Sequence, residues 1–390
     1  MRGVAPITMV CVLLVGAAGS AEASTVAVEP VSENDELFYE AEPGEINELE
    51  ASTDGSTVTF VDPGAVIQPG NDCNSVNDHV ATCSFNNFAP VNAELKNKGD
   101  SARIAGPMIR LMASGGGGHD LLVGAGLPDR LDGGAGPDVL RGRGSTDIAD
   151  YADRSDDVKV TLGDGKRNDG GPGDGALRDR LQGMENVVGG GGDDVLVGNG
   201  AENALFAFAG KDSLRGKGGP DDLGGGDGRD VARGGPGADL FPGDGGRDKG
   251  FGGKGADLFQ GGAPGNGADL FQGDAGQDEV DYSFGQLRVT LDGKANDGPC
   301  VDASCASSDE GDNAKGIEVA STAFGGDVLI GSKRDEVFHP FPGADTVRAR
   351  GGDDVIHLSI DGVPDDINCG PGNDTIVGTP DATDTNLNCE

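Results

Sequence analysis

Along the middle of the chain an acidic or amide side chain returns every nine residues, at Asp194, Asn203, Asp212, Asp221, Asp230, Asp239, Asp248 and Asp257. Most of these residues occupy the sixth place of a frame G-G-x-G-x-D-x-U-x, with U apolar. It is seen in GGGGHDLLV from Gly115, GGAGPDVLR from Gly133, GGGGDDVLV from Gly189 and GGPGADLFP from Gly234. A carboxylate next to the bare carbonyls of a glycine-rich turn is a set of hard oxygen donors. Ca²⁺ takes about six to eight such oxygens in flexible geometry at ~2.3–2.6 Å, whereas Mg²⁺ demands a stricter octahedron and keeps its water. Thiolate- and imidazole-seeking metals find no ligands in this frame. Glycine at frame positions one, two and four is expected to supply positive φ and to let carbonyls point inward without a Cβ clash.

The spacing also dictates the elements that carry these groups. The apolar eighth residue alternates out of phase with the Asp on a short strand, so it faces an interior. Leu122, Leu131, Leu140, Leu196, Leu205, Leu214, Leu223, Phe241, Phe259 and Phe271 form that predicted ladder. Two nonapeptides make one coil, which places turns on the same side eighteen residues apart. The expected carboxylate pairs are Asp120 with Asp138, Asp129 with Asp147, Asp194 with Asp212, Asp212 with Asp230, Asp221 with Asp239, Asp230 with Asp248, and Asp239 with Asp257. The frame is weakest at Asn203, which replaces Asp, at Gly250 in an apolar place after Asp248, and at the undersized Ala149 and Ala232.

Three tracts follow from this pattern. The first spans 111–150, with Asp120, Asp129, Asp138 and Asp147 in frame; the central one spans 189–281 and continues, after an insertion around Pro264-Gly265-Asn266, to Asp269 and Asp278. The third, within 325–390, is looser: Asp327, Asp335, Asp345, Asp354, Asp365 and Asp374 are each followed two residues later by Leu329, Val337, Val347, Ile356, Ile367 or Ile376. Two excursions, 151–188 and 282–324, are copies of one another. Asp150-Tyr151, Val160-Thr161-Leu162 and Asn168-Asp169-Gly170 recur as Asp281-Tyr282, Val289-Thr290-Leu291 and Asn296-Asp297-Gly298. Each is expected to add a strand, make a turn at Asn-Asp-Gly, and rejoin the roll.

The composition fits an elongated object. With 72 Gly, no Trp and 4% aromatics, the chain lacks the bulky side chains of a large core. A formal charge of −38 opposes compaction unless cations neutralise it, and it argues against nucleic acid or an anionic membrane as partner. Residues 1–23 read as a cleavable secretory signal: Arg2, an apolar stretch from about Ile7 to Ala18, then Ala21-Glu22-Ala23. No later segment is long and apolar enough to span a membrane as a helix. Residues 24–110 read as a small β module, with Ser56 to Val61 as one strand and a disordered leader over 24–44. Outside the signal, cysteines fall into near neighbours: Cys73 with Cys83, Cys300 with Cys305, and Cys369 with Cys389. These local disulfides are the most economical pairing and suit an exported chain.

In these residues the chain resembles the RTX, or haemolysin-type, calcium-binding repeat proteins, over roughly 111–377. The resemblance implies an all-β fold, a parallel β-roll in which frame Asp carboxylates and turn carbonyls hold several Ca²⁺ ions, and export from the cell. It extends to secreted bacterial calcium-binding proteins that end in a Cys-Gly-Pro-Gly-Asn-Asp segment, here Cys369 to Asp374, and a terminal Cys-Glu, here Cys389-Glu390. An N-terminal cleavable signal departs from RTX toxins and proteases, which carry an uncleaved C-terminal one, and favours the general secretory route.

The candidate calcium ligands are therefore Asp120, Asp129, Asp138, Asp147, Asp194, Asp212, Asp221, Asp230, Asp239, Asp248, Asp257, Asp269, Asp278, Asp345, Asp354 and Asp374. A catalytic set is not evident. His79, His119, His339 and His357 form no H-E-x-x-H, there is no G-x-S-x-G elbow, and the paired carboxylates fall in the repeat frame. The chain reads as a secreted, non-enzymatic calcium-binding protein with a structural or cell-surface role. The alternatives are an adhesin or matrix module with a polysaccharide or protein partner, and an enzyme with an unrecognised site in 24–110.

Overall fold

The computed structural model describes residues 24–31, 34–54, 56–70, 73–84, 90–106, 109–175, 178–262, 267–282, 286–295, 297–299, 311–385 and 389. The expected signal segment, the Pro264-Gly265-Asn266 insertion and the Cys300 to Cys305 pair lie outside them. Each nonapeptide becomes a glycine turn and a short strand whose apolar eighth residue faces the interior; the frame Asp two residues earlier is buried too, in phase with it and not out of phase as expected. In Val195–Val197, Leu196 is buried while Val195 is exposed. All ten residues of the predicted ladder are buried.

The strands stack into a parallel β-roll with two faces. One face is a 17-stranded sheet from Ser24–Val31 to Thr375–Val377. Its parallel neighbours stand one coil apart, as in Leu205 beside Leu223 and Leu240 beside Leu258. The opposite face is divided into sheets of nine, seven and five strands. The three tracts are thus one continuous roll, joined along the long face.

The divisions fall at the two excursions, which are built differently from the sequence expectation. Within the first, the later strand Asp179–Gln182 caps the preceding sheet beside Val139–Arg141, while the earlier strand Lys159–Thr161 begins the next sheet beside Val195–Val197. Asn168 and Asp169 belong not to a turn but to a strand, Arg167–Asp169, that runs antiparallel to Asp179–Gln182. The second excursion repeats this, with Asn313–Lys315 ending one sheet and Leu287–Thr290 opening the next. The excursions are therefore splices within the roll.

Residues 24–44 differ from the disordered leader expected for them: Ser24–Val31 and Asn34–Glu40 form an antiparallel hairpin. Nor does the roll start at 111. Val91–Glu94 pairs in parallel with Leu111–Ser114, and Ser101–Ala105 with Leu121–Val123, so the N-terminal segment supplies the first coils. Cys73 and Cys83 are disulfide-bonded on facing strands of this end, and Cys369 is bonded to Cys389 at the other.

Where the apolar frame is undersized, neighbours fill the space. A Cβ at Gly250 would come within 2.8 Å of the Phe259 ring. Phe259 stacks on Phe241 at 4.6 Å and meets Phe271 at 5.4 Å. Gly250 thus makes room for the aromatic ladder.

Candidate metal-binding turns

Each frame carboxylate is oriented by a backbone amide of the coil before it. The N–H of Asp120 donates to Oδ1 of Asp138 at 2.7 Å, that of Asp129 to Asp147 at 2.8 Å, and that of Asp194 to Asp212 at 2.7 Å. The series continues through Asp212 to Asp230, Asp221 to Asp239, Asp230 to Asp248, and Asp239 to Asp257, each with a separation of 18. Where the insertion intervenes, Asp248 still reaches Asp269 and Asp257 reaches Asp278, now 21 residues apart. The stacking scheme read from the sequence is the one the fold adopts. Asn203, on the long face, is out of the Asp194 to Asp212 series on the opposite one.

The other oxygen distinguishes the turns. Oδ2 of Asp120, Asp138, Asp147, Asp212, Asp221, Asp230, Asp239, Asp257, Asp278, Asp354 and Asp374 is buried without a hydrogen-bond partner among the described residues. In Asp129 and Asp194 the same oxygen accepts the turn's own amide, from Ala125 at 2.7 Å and Gly190 at 2.9 Å. Asn203 does likewise with Asn199 at 2.7 Å, and its Nδ2 donates to the Glu185 carbonyl at 2.7 Å. The turns therefore divide into closed ones and ones with a bare, inward oxygen. Asp248 is half-buried, Asp269 is buried, and both accept an amide from the previous coil.

Burying a carboxylate oxygen without a partner is costly, and the titration of these groups reflects it. Burial pushes Asp138 and Asp345 up to about 8, and Asp120, Asp147, Asp221 and Asp230 up to about 7. Asp212, Asp257, Asp278 and Asp354 rise to about 6 for the same reason. Neighbouring carboxylates add to the shift, as Asp179 and Asp120 do at Asp138. A divalent cation reverses both effects. Among the described residues no three Asp, Glu, His or Cys side chains converge. Carbonyl oxygens must therefore supply much of any coordination shell, which suits Ca²⁺ and not a thiolate or imidazole metal.

Frame glycines serve two purposes, only one of which was expected. In the first tract the second and fourth positions do take positive φ, 82° at Gly116, 156° at Gly118, 75° at Gly134 and 130° at Gly136, whereas in the central tract Gly190, Gly192 and Gly237 do not. The first position does not. A Cβ there would meet the carboxylate: at Gly115 it would stand 2.6 Å from Oδ2 of Asp120, and at Gly234 it would overlap Oδ2 of Asp239. The first glycine clears the space around the bare oxygen.

In the third tract the frame differs from its sequence reading at one coil. Asp335 is exposed; Glu336 is buried and its amide donates to Asp354 at 2.9 Å. The inward apolar residue is correspondingly Phe338, and Val337 is only half-buried. Glu336 is closed by Ser332, whose amide and hydroxyl both donate to its carboxylate. Asp345 accepts from Asp327 at 2.8 Å, and Asp374 from Asp354 at 3.0 Å.

Residues missed in the sequence continue the series across the splices. Asp100 donates its amide to Asp120, Asp138 to Asp179 across 41 residues, and Asp269 to Asp312 across 43. Glu185 and Glu318 accept in the same way from Asp147 and Asp278. At both splices a buried tyrosine fills the carboxylate, Tyr151 donating to Oδ2 of Asp179 at 3.1 Å and Tyr282 to Oδ2 of Asp312 at 3.1 Å, and in the N-terminal segment Tyr39 does the same to Oδ2 of Asp62. The duplicated Asp-Tyr pair of the excursions was the signal that could have revealed them.

A sequence model of the family described as "RTX calcium-binding nonapeptide repeat (4 copies)" matches residues 123–153, 188–223, 224–259, 265–286 and 341–360. These segments carry most of the bare carboxylates. No curated protein matches the chain.

Proposed function

Taking as premise that the chain is an RTX repeat protein whose nonapeptides bind calcium, we propose that calcium completes the fold after export and that the protein acts outside the cell. Its role there is structural or surface-associated. One observation carries this reading: the bare Oδ2 atoms stacked along the roll, as at Asp212 and Asp230, or Asp221 and Asp239. A chain of charge −38 that buries these oxygens one coil apart is frustrated without a cation. Calcium supplies positive charge between the turns, and its binding free energy becomes folding free energy.

Extracellular calcium modules work at roughly 10⁻⁴–10⁻³ M. That range leaves the chain open in a calcium-poor cytosol and folds it outside, which supports secretion. The non-catalytic reading is favoured because the carboxylates that might form an acid–base pair already serve the stacking of coils. No helix among the described residues is long and apolar enough to cross a membrane. Far-UV circular dichroism and hydrodynamic radius in excess EDTA and in millimolar Ca²⁺ test the proposal. Identical values in both sink it.

A further inference from the structure

The charge of the roll is unevenly divided between its faces. The strands of the seven-stranded sheet carry Lys159, Arg215, Arg233, Lys249, Lys254 and Lys315 against a single acid, Asp274. The whole chain has 67 Asp and Glu to 29 Lys and Arg. The long face of the same coils is acidic, with Asp222, Glu279 and Asp281 half-buried on it.

Strand register sets Arg215, Arg233, Phe251 and Gln272 side by side on successive strands, at the ~4.8 Å spacing of a sheet. The Arg233 guanidinium lies 4.9 Å over the Phe251 ring. Arg215, Lys217, Arg233 and Phe251 line an open groove of about 470 Å³ together with Gly234, Gly235, Gly252, Gly253 and Asp274. The ion pairs among the described residues use neither Arg215, Lys217 nor Arg233. The one carboxylate in the lining, Asp274, accepts from the side-chain amide of Gln272 at 2.5 Å.

Guanidinium groups grip planar or tetrahedral oxyanions through paired N–H donors. Here two stand a strand apart beside an aromatic plate, which suits a ring-bearing polymer with spaced charges. Duplex nucleic acid, with one charge per ~1.7 Å of axis, is far denser and would be repelled more strongly by the acidic flanks. We propose that this groove binds an acidic polysaccharide through its carboxylate or sulfate groups, with Arg215 and Arg233 holding the anion and Phe251 supporting the sugar ring. The site exists only on the folded roll, so it rests on the calcium reading above.

The test is retention of the full chain, in millimolar Ca²⁺, on immobilised polygalacturonate, dextran sulfate and neutral dextran. Binding to one or both charged polymers but not to dextran is expected, and which one separates carboxylate from sulfate. An Arg215→Gln/Arg233→Gln variant should lose about tenfold or more in affinity, equivalent to ~1.4 kcal/mol. Phe251→Ala should weaken binding while leaving its salt dependence, and Lys159→Gln, on the same sheet but outside the groove, should bind as the unmodified chain does. Circular dichroism of each variant with and without Ca²⁺ reports the fold separately. Failure of calcium to fold the unmodified chain removes the calcium reading; a folded roll that both charged polymers ignore overturns the groove alone. Equal binding by the double variant would mean that calcium bridges polymer to acidic turns, and also overturns it. So would loss of concentration-dependent self-association in that variant, seen by light scattering, without polymer retention.

Discussion

The backbone N–H of Asp212 donates to Oδ1 of Asp230 one coil further on, at 2.7 Å, while Oδ2 of Asp230 is buried with no partner. One oxygen therefore ties neighbouring coils together and the other is left waiting for charge compensation. The same carboxylate holds the roll in register and makes the metal-free roll unfavourable.

Replacing Asp230 by Asn separates these two effects. The amide oxygen can keep the coil-to-coil bond, while the buried charge disappears. Asp230→Asn should raise β-content in EDTA and shift the calcium midpoint upward by about threefold or more, since ligand charge tunes affinity. Asp129→Asn, where Ala125 already donates to Oδ2, should move the midpoint less. Calorimetric calcium titration of both variants checks this, and equal shifts would contradict the division into bare and closed turns.

The metal-free chain should respond to acid in an unusual direction. Burial raises Asp138 and Asp345 to about 8 and Asp120, Asp221 and Asp230 to about 7, from an ordinary 3.8. A carboxyl raised in the fold makes the folded chain hold more protons than the unfolded one between those two values. Its contribution is most favourable at low pH and is lost as pH climbs through the folded value. In EDTA the chain should gain β-structure and shrink on acidification from about pH 8 to about pH 5, and its calcium midpoint should rise as protons compete. Expansion on acidification in EDTA would argue against buried frame carboxyls.

Glycine tolerance should follow the carboxylates. Gly234→Ala drives a Cβ into Oδ2 of Asp239, whereas at Gly191 the nearest atom to an added Cβ is 3.8 Å away. Overpacking of this kind costs roughly 1–3 kcal/mol. Gly234→Ala should thus lower thermal stability in calcium, and Gly191→Ala should leave it nearly unchanged.

Tyr151→Phe removes the donor to Oδ2 of Asp179 and leaves another buried oxygen unpaired, at a cost of ~1–3 kcal/mol. The loss should show as a lower unfolding midpoint in calcium, without a change in ion stoichiometry. A reduced ion count would instead place a calcium site at Asp179.

The repeat made much of this legible. Nine-residue spacing with an apolar eighth position fixes both strand phase and coil pairing, which is why Asp194 to Asp212 and its successors could be placed from the sequence. Spacing failed where partners are remote or the frame is ambiguous. Asp179 and Asp312 stack on coils 41 and 43 residues earlier, because a splice inserts an antiparallel strand between them. At Asp335-Glu336 two adjacent acids compete for one place, and the bulk of Phe338 in the interior decides for Glu336. Which carboxylates stay bare depends on turn amides such as that of Ala125, and no residue spacing reveals their direction.

The chain has no Trp and three tyrosines, and all three phenols are buried against a carboxylate, two at the splices and one in the N-terminal segment. Tyrosine absorbance and the tyrosine bands of the near-ultraviolet dichroism are therefore blind to the repeating coils, whose aromatic ladder is phenylalanine, and view only these three places. Far-ultraviolet dichroism views the coils themselves. The protein thus carries two native optical channels, and any lag between them during calcium addition times closure at these places against coil formation without an introduced label.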